Sequence, residues 1–281
     1  MNKISTILFA AAAAAMMTSC VKDELFDTPH PAAGALIVTA EWGSRSSNAD
    51  IPQEYTVRIG SAEQTMTGET NTFGALLEPG SQQMLVYNNP AGITISGDIA
   101  TVDADSRADD CVHPHPEFLF RHATDILVAA DDTLHVTAPM AQYVRTLYIE
   151  LSVDGGDASR VSHVSGTLEG VESSINLLTG ERLAQGATVV DDYTVEANKM
   201  TLTYHLLGVH PQTTQRLTTH IEFTNGDTQT VISDLTDRLG DFHDDVEPLR
   251  LTARLNLPAQ PGMTATIGDW QPMGGSNVDA H

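Results

Sequence analysis

Two short stretches of this 281-residue chain carry residues able to do chemistry. The first is Met17-Thr18-Ser19-Cys20. It closes an apolar, alanine-rich run, Ile4 to Met17, that follows Lys3. A run of this length is too short to span a bilayer, which takes roughly twenty residues, but it fits the apolar region of a secretory signal. Small residues just before a cysteine at the end of such a run form a lipobox, in which the thiol is acylated and the chain is cut just before it. The box opens with Met rather than the commoner Leu. The second stretch is Asp109-Asp110-Cys111-Val112-His113-Pro114-His115-Pro116, with His122 nearby. On an extended backbone Cys111, His113 and His115 project to one side, and a thiolate with imidazoles suits Zn²⁺. Structural zinc, however, normally joins ligands from separated segments, and the two prolines mark a loop between strands. The expectation is an exposed loop with a free thiol, no bound metal and no cofactor.

The remaining polar groupings point away from catalysis. Asp103/Asp105 and Asp244/Asp245/Glu247 collect carboxylates, but neither follows the twelve-residue calcium loop. Solvated turns are expected there. No nucleophile elbow, zinc-protease helix motif or phosphate loop occurs. His163 beside Ser162 and Ser165 is adjacency along the chain, not a triad. With Asp+Glu at 37, chance pairing of carboxylates carries no weight as a glycosidase signal. No catalytic residue is assigned, and the chain is not expected to be an enzyme.

Acylation at Cys20 has a physical consequence. Each buried methylene contributes about 0.8 kcal/mol, so one chain binds a membrane only marginally while several make a lasting anchor. Residues 1–19 are then a signal peptide and 20–33 a lipidated tether, with Pro29, Pro31 and Gly34 near its end. Loss of Lys3 takes the net charge from −23 to −24. With Cys20 modified, Cys111 has no partner, and the fold must rest on its core rather than on a disulfide. Fourteen Lys+Arg against 37 Asp+Glu exclude nucleic acid and a polybasic grip on anionic lipid. A hydrophobic fraction of 41% is enough for a packed core and excludes general disorder.

The elements that must carry this load read as strands. Leu36, Val38, Ala40 and Trp42 share one face of an alternating stretch, as do Tyr55, Val57 and Ile59. Met84-Leu85-Val86-Tyr87 is a short apolar run closed by Asn88-Asn89-Pro90, and Gly97-Asp98 separates Ile93/Ile95 from Ile99/Thr101. Later, Leu147 to Val153 and Leu249 to Leu257 alternate with period two. Asn225-Gly226 between Leu217–Phe223 and Thr228–Ile232 predicts a hairpin with a type I′ turn. One short helix is expected over Ser233–Phe242, capped by Ser233 and apolar at Leu235, Leu239 and Phe242. Many short half-buried strands with turn-rich links predict an all-β chain of two tandem antiparallel β-sandwiches. The division is placed at Pro139, giving 34–138 and 139–281. No sequence repeat relates the halves.

This layout resembles the FimB-like fimbrial anchor and accessory subunits of Bacteroides-type pili. The likeness lies in Ser19-Cys20-Val21-Lys22-Asp23-Glu24, in which Lys and acidic residues after the cysteine resemble a surface-export signal. It continues through Leu36 to Trp42, Leu85-Val86-Tyr87-Asn88 with Gly92-Ile93, and Tyr148 to Val153. It ends with Thr224-Asn225-Gly226-Asp227 before Asp234-Leu235-Thr236, and Ile267-Gly268-Asp269-Trp270. The resemblance implies transthyretin-like sandwiches, an outer-membrane lipid anchor exposed at the cell surface, other fimbrial subunits as partners, and assembly by strand addition contributing to adhesion. It also raises Arg45. In shaft subunits of such pili, cleavage after an Arg removes the first strand. Gly43-Ser44-Arg45-Ser46-Ser47-Asn48 is a basic loop after Leu36–Trp42, and for an anchor it should stay intact. The alternative is a glycan-binding surface lipoprotein. Against it, aromatics are only 5%, and Trp42 and Trp270 fall on core-facing strand positions rather than on exposed platforms.

Overall fold

The computed structural model describes residues 31–183, 186–258 and 263–273. Cys20, the signal segment and most of the tether lie outside these residues. The first half is built from β1 (Ala35–Glu41), β2 (Glu54–Ile59), β3 (Ala62–Thr67), β4 (Thr70–Thr72), β5 (Gly80–Tyr87), β6 (Ile93–Ser96), β7 (Ile99–Val102), β8 (Cys111–Val112), β9 (Phe120–Val128), β10 (Thr133–Pro139) and β11 (Ala141–Gln142). The second half contains β12 (Arg145–Gly155), β13 (Val161–Val171), β14 (Ser174–Asn176), β15 (Ala187–Asp192), β16 (Thr194–Glu196), β17 (Lys199–Leu206), β18 (Arg216–Phe223), β19 (Thr228–Asp234), helix α1 (Thr236–Leu239), β20 (Leu249–Asn256), β21 (Thr266–Ile267) and β22 (Gln271–Pro272). The chain is all-β, and the sheets pack as sandwiches around clusters of buried aliphatic and aromatic side chains.

Alternation decides which side chains enter those cores, because successive side chains of a strand leave opposite faces. Leu36, Val38 and Ala40 of β1 are buried with Trp42, and Trp42 meets Tyr55 and Phe120 edge-on. Leu147, Ile149 and Leu151 of β12 pack with Leu251, Ala253 and Leu255 of β20 in the second core. Trp270 is buried there too, so neither tryptophan offers an exposed platform.

The halves repeat one topology. In the first, a sheet β10-β1-β4 faces a sheet β9-β5-β2-β3; in the second, β20-β12-β17 faces β19-β18-β13-β15. Every corresponding pair has the same sense. The first strand runs parallel to the last, β1 to β10 and β12 to β20, and the other pairs are antiparallel. The parallel pairs arise because each half's chain returns from the facing sheet, so its last strand comes to lie beside its first.

Two local expectations change. The Asn225-Gly226 loop has positive φ at Gly226 alone (+87°), so it is not a type I′ turn, which needs it at both central residues. The connection spans Thr224–Asp227, with the Gly226 N–H donating to the Phe223 carbonyl at 2.9 Å. The Asn225 amide is engaged locally, accepting from the Asp227 N–H and donating to its carboxylate, which holds the longer turn. The predicted helix shrinks to Thr236–Leu239. Ser233 lies inside β19, paired to Leu217, and Asp234 rather than Ser233 accepts from the Thr236 N–H at 2.9 Å. The apolar positions Leu235, Leu239 and Phe242 are nevertheless all buried.

Candidate functional site

The halves exchange strands at their junction. β6, β7 and β8 are inserted in the first half between β5 and β9, and β14 in the second half between β13 and β15. β14 pairs with β7, while β8 pairs parallel with β15, so each half completes a sheet of the other. β11, just past the expected division, pairs with β9 of the first half. A third apolar cluster fills the space between: Leu85, Tyr87, Ala100, Leu119, Ile175 and Leu207 are among its buried members.

This junction also receives the histidine-rich stretch. Cys111 and Val112 form β8, and Asp110 adopts φ +59° just before it. Asp105 is buried and accepts from Arg107 at Nε (3.2 Å) and Nη2 (3.1 Å), which holds its carboxyl below the usual range. Arg107 also reaches Asp191 of β15 at 3.2 Å, and the other Asp191 oxygen takes His115 Nε2. His113 Nδ1 accepts the His115 backbone N–H at 3.1 Å. His205 of β17 packs against Phe118 and His115, gives its backbone N–H to the Pro114 carbonyl, and places Nδ1 3.0 Å from the Pro116 oxygen. Burial lowers its pKa, favouring the neutral ring.

The stretch therefore works as a strap. Its imidazoles are spent on separate partners, and among the described residues no three His, Cys, Asp or Glu side chains gather as a metal would need. The Cys111 thiol is pushed up first by burial and then by Asp105, Asp110 and Asp109, the opposite of what an activated thiolate requires. An open cleft of about 570 Å³ lies beside the strap, between Asp50, Glu54, Asn89, Glu117, Phe118 and His205.

The Arg45 loop is fastened across the same junction. Arg45 donates to the Ala49 and Trp42 carbonyls. Ser46 is buried; its N–H donates to Gln142 Oε1 at 2.8 Å, and Gln142 Nε2 donates to its hydroxyl at 3.0 Å. Ser47 gives its N–H and hydroxyl to the Glu247 carboxylate, and Asn48 donates to Thr146. Two of the acidic groupings thus have structural tasks: Asp103 accepts from Thr94 and Asp105 from Arg107, while Glu247 holds the Arg45 loop.

A last cluster, with no signal in the sequence, sits in the second half. Glu172 is buried and ion-paired to Arg182, which bonds His243 Nδ1 at 2.7 Å. Burial raises the Glu172 pKa to about 7, against the opposing pull of Arg182. Only folding brings these residues together.

No family model matches the chain, and no curated protein does. Solved structures do. The chain superposes on the fimbrial anchor protein Mfa2 of Porphyromonas gingivalis with TM-score 0.60 and 10% identity, over 86% of this chain and 98% of that one. A proposed adhesin from Bacteroides ovatus matches with TM-score 0.61 and 15% identity, over 90% and 98%. A proposed polysaccharide-binding protein from Bacteroides thetaiotaomicron matches with TM-score 0.56 and 10% identity, over 85% and 98%. The chain thus has the fold of a fimbrial anchor protein and of Bacteroides adhesin-like proteins, the resemblance its sequence suggests.

Proposed function

We propose that this chain is a lipid-anchored cell-surface subunit of a fimbrium, an anchor or accessory component assembled by strand addition and contributing to adhesion. The observation that carries the reading is the end-to-end likeness to Mfa2, which leaves almost none of that anchor protein unmatched. The lipobox at Met17–Cys20 supplies the attachment, and Val21-Lys22-Asp23-Glu24 the export to the outer face of the outer membrane. The exchange of β8 and β14 forms a clasp between the halves that suits a tethered, load-bearing subunit, because separating the halves must break two strand pairings and open an apolar cluster. Its partners are other fimbrial subunits and the outer membrane; neither nucleic acid nor a reaction is part of the reading. The clamp on Ser46 and Ser47 supports an anchor over a processed shaft subunit, because a protease must extract several residues into extended form to cut after Arg45. The division of the chain near Pro139 is read as two sandwiches joined by the clasp.

Cys20→Ala tests the attachment. It should move the chain from the membrane fraction to the soluble or precursor fraction, and mass spectrometry of the native N-terminus should find acyl chains on that sulfur. Unchanged fractionation would remove the anchor. A deletion strain should alter fimbrial length or shedding. Retention on immobilised polysaccharide, with fimbriae unaffected, would instead favour the reading suggested by the polysaccharide-binding neighbour.

A further inference from the structure

We propose that the outer edge of β10 is a docking edge for an extended strand of a neighbouring fimbrial subunit. The inference rests on the fimbrial reading and names where such a strand would sit on this chain.

The repeat of topology supplies the argument. In the second half, the last strand β20 lies between its parallel partner β12 and an arm made of β21 and β22. The arm takes the outward backbone groups of β20. Gly268 N–H donates to the Arg254 carbonyl at 2.9 Å, and Met273 N–H to the Arg250 carbonyl at 2.8 Å. The arm also lowers Trp270 and Ala265 onto the core, and Leu251, Ala253 and Leu255 are buried beneath.

The equivalent strand of the first half, β10, has β1 on one side and no strand on the other among the described residues. Ala35 N–H donates to the Asp132 carbonyl, and Met140 N–H to the Glu41 carbonyl. With the unbroken parallel register from Ala35↔Thr133 to Glu41↔Pro139, these bonds place the backbone groups of 134, 136 and 138 toward β1. The N–H and C=O groups of His135 and Thr137 and the C=O of Thr133 then face outward, while the Thr133 N–H donates to the Asp132 carboxylate at 2.8 Å. Leu134 and Val136 remain partly exposed at the mouth of the core, where the matching positions of β20 are sealed.

The edge is also unguarded. Sheet edges are usually protected by charge, a bulge or a covering segment. Thr133-Leu134-His135-Val136-Thr137-Ala138-Pro139 carries no Lys, Arg, Asp or Glu in a chain that has 37 acidic residues. Its one proline closes the strand instead of interrupting it. An added strand satisfies the outward groups, and an apolar side chain placed as Trp270 is over β20 covers Leu134 and Val136. The antiparallel arm on β20 makes antiparallel addition the expected sense.

The probe is a synthetic peptide of residues 264–273, the sequence that covers the equivalent edge, added to the chain from residue 20 carrying Cys20→Ala. Saturable binding is expected, with amide exchange at His135 and Thr137 slowed at least about tenfold. Thr137→Pro removes an outward N–H that β1 does not use and should weaken binding by a similar factor. Absence of binding, no protection at His135 and Thr137, or unchanged affinity in Thr137→Pro would overturn the assignment. Exchange on the unsubstituted chain decides the matter even if the proline variant folds poorly. Cell-borne fimbriae separate the two readings. If they hold the wild-type chain and hold Thr137→Pro equally well, β10 is not the edge. If they never hold the wild-type chain, the fimbrial reading itself falls.

Discussion

The two halves share a strand order but close differently. The second half ends its sheet with an arm, so β20 is sandwiched and its inward residues are sealed. Among the described residues the first half ends with β10 open, and its inward residues Leu134 and Val136 are only partly covered. Identical topology therefore does not imply equal stability or equal reactivity at the edge. What differs is whether the segment that follows the last strand turns back over it. The first half instead runs on directly through β11 into β12.

Paired truncations in the two last strands give the largest expected contrast. Leu251→Ala opens a cavity in a sealed core and should cost about 2–5 kcal/mol in urea unfolding. Val136→Ala, at the partly open edge, should cost about 1 kcal/mol or less. Equal losses would mean that the β10 edge is as well covered as β20, and the contrast would disappear.

The buried Glu172 belongs to the second half alone, since β2, the counterpart of β13, runs out at Ile59 into Gly60. Its carboxyl titrates near 7 when folded and near 4.5 when unfolded. Between those values the folded state holds a proton that the unfolded state has lost, so stability falls as pH rises from about 4.5 to 7. The full loss is roughly 3 kcal/mol and stays constant above 7. Glu172→Gln should therefore gain stability relative to wild type across that interval. A flat difference between the two proteins would place the carboxyl in a more hydrated setting. His243 and His205 act in the opposite sense, because burial lowers both and their contribution is lost as pH falls below about 6.5.

The smallest effect concerns the loops that follow each half's first strand, one containing Arg45 and the other Arg160. Arg160 is held by the Pro258 carbonyl and lies over Phe223, while its own carbonyl accepts from Thr224. The Arg45–Ser46 bond depends on side chains reaching from Gln142 and Glu247. Gln142→Ala should speed trypsin cleavage after Arg45, read as a new N-terminus at Ser46, and leave Arg160 untouched. No acceleration would show that the Arg45 and Glu247 contacts suffice.

Particular residues show how far the sequence could be read. Period two placed Leu36–Trp42 and Leu249–Leu257 correctly, because each strand has one buried face and the pattern records it. The run Met84-Leu85-Val86-Tyr87 lacks that alternation for a reason visible only in three dimensions. Met84 and Val86 enter the first core while Leu85 and Tyr87 enter the junction cluster, so the strand is buried on both faces. Asn225-Gly226 marks the position of the turn but not its type, since the competing side-chain bonds of Asn225 leave no trace in periodicity.

By itself, the order of residues determined an acidic all-β chain with strands at definite places and a short run of small residues, Thr18-Ser19, before Cys20. Those properties are local: they depend on alternation over a few residues or on a contiguous motif. Only the tertiary structure decided that the halves repeat a topology and exchange β8 and β14. It likewise decided that the His113–His115 stretch becomes a strap tied to Asp191, and that, among the described residues, one last strand is covered while the other is open. Each depends on partners tens to two hundred positions away, such as Ser47 and Glu247, and a pairing across that distance is chosen by packing of the whole fold rather than by any pattern within a segment.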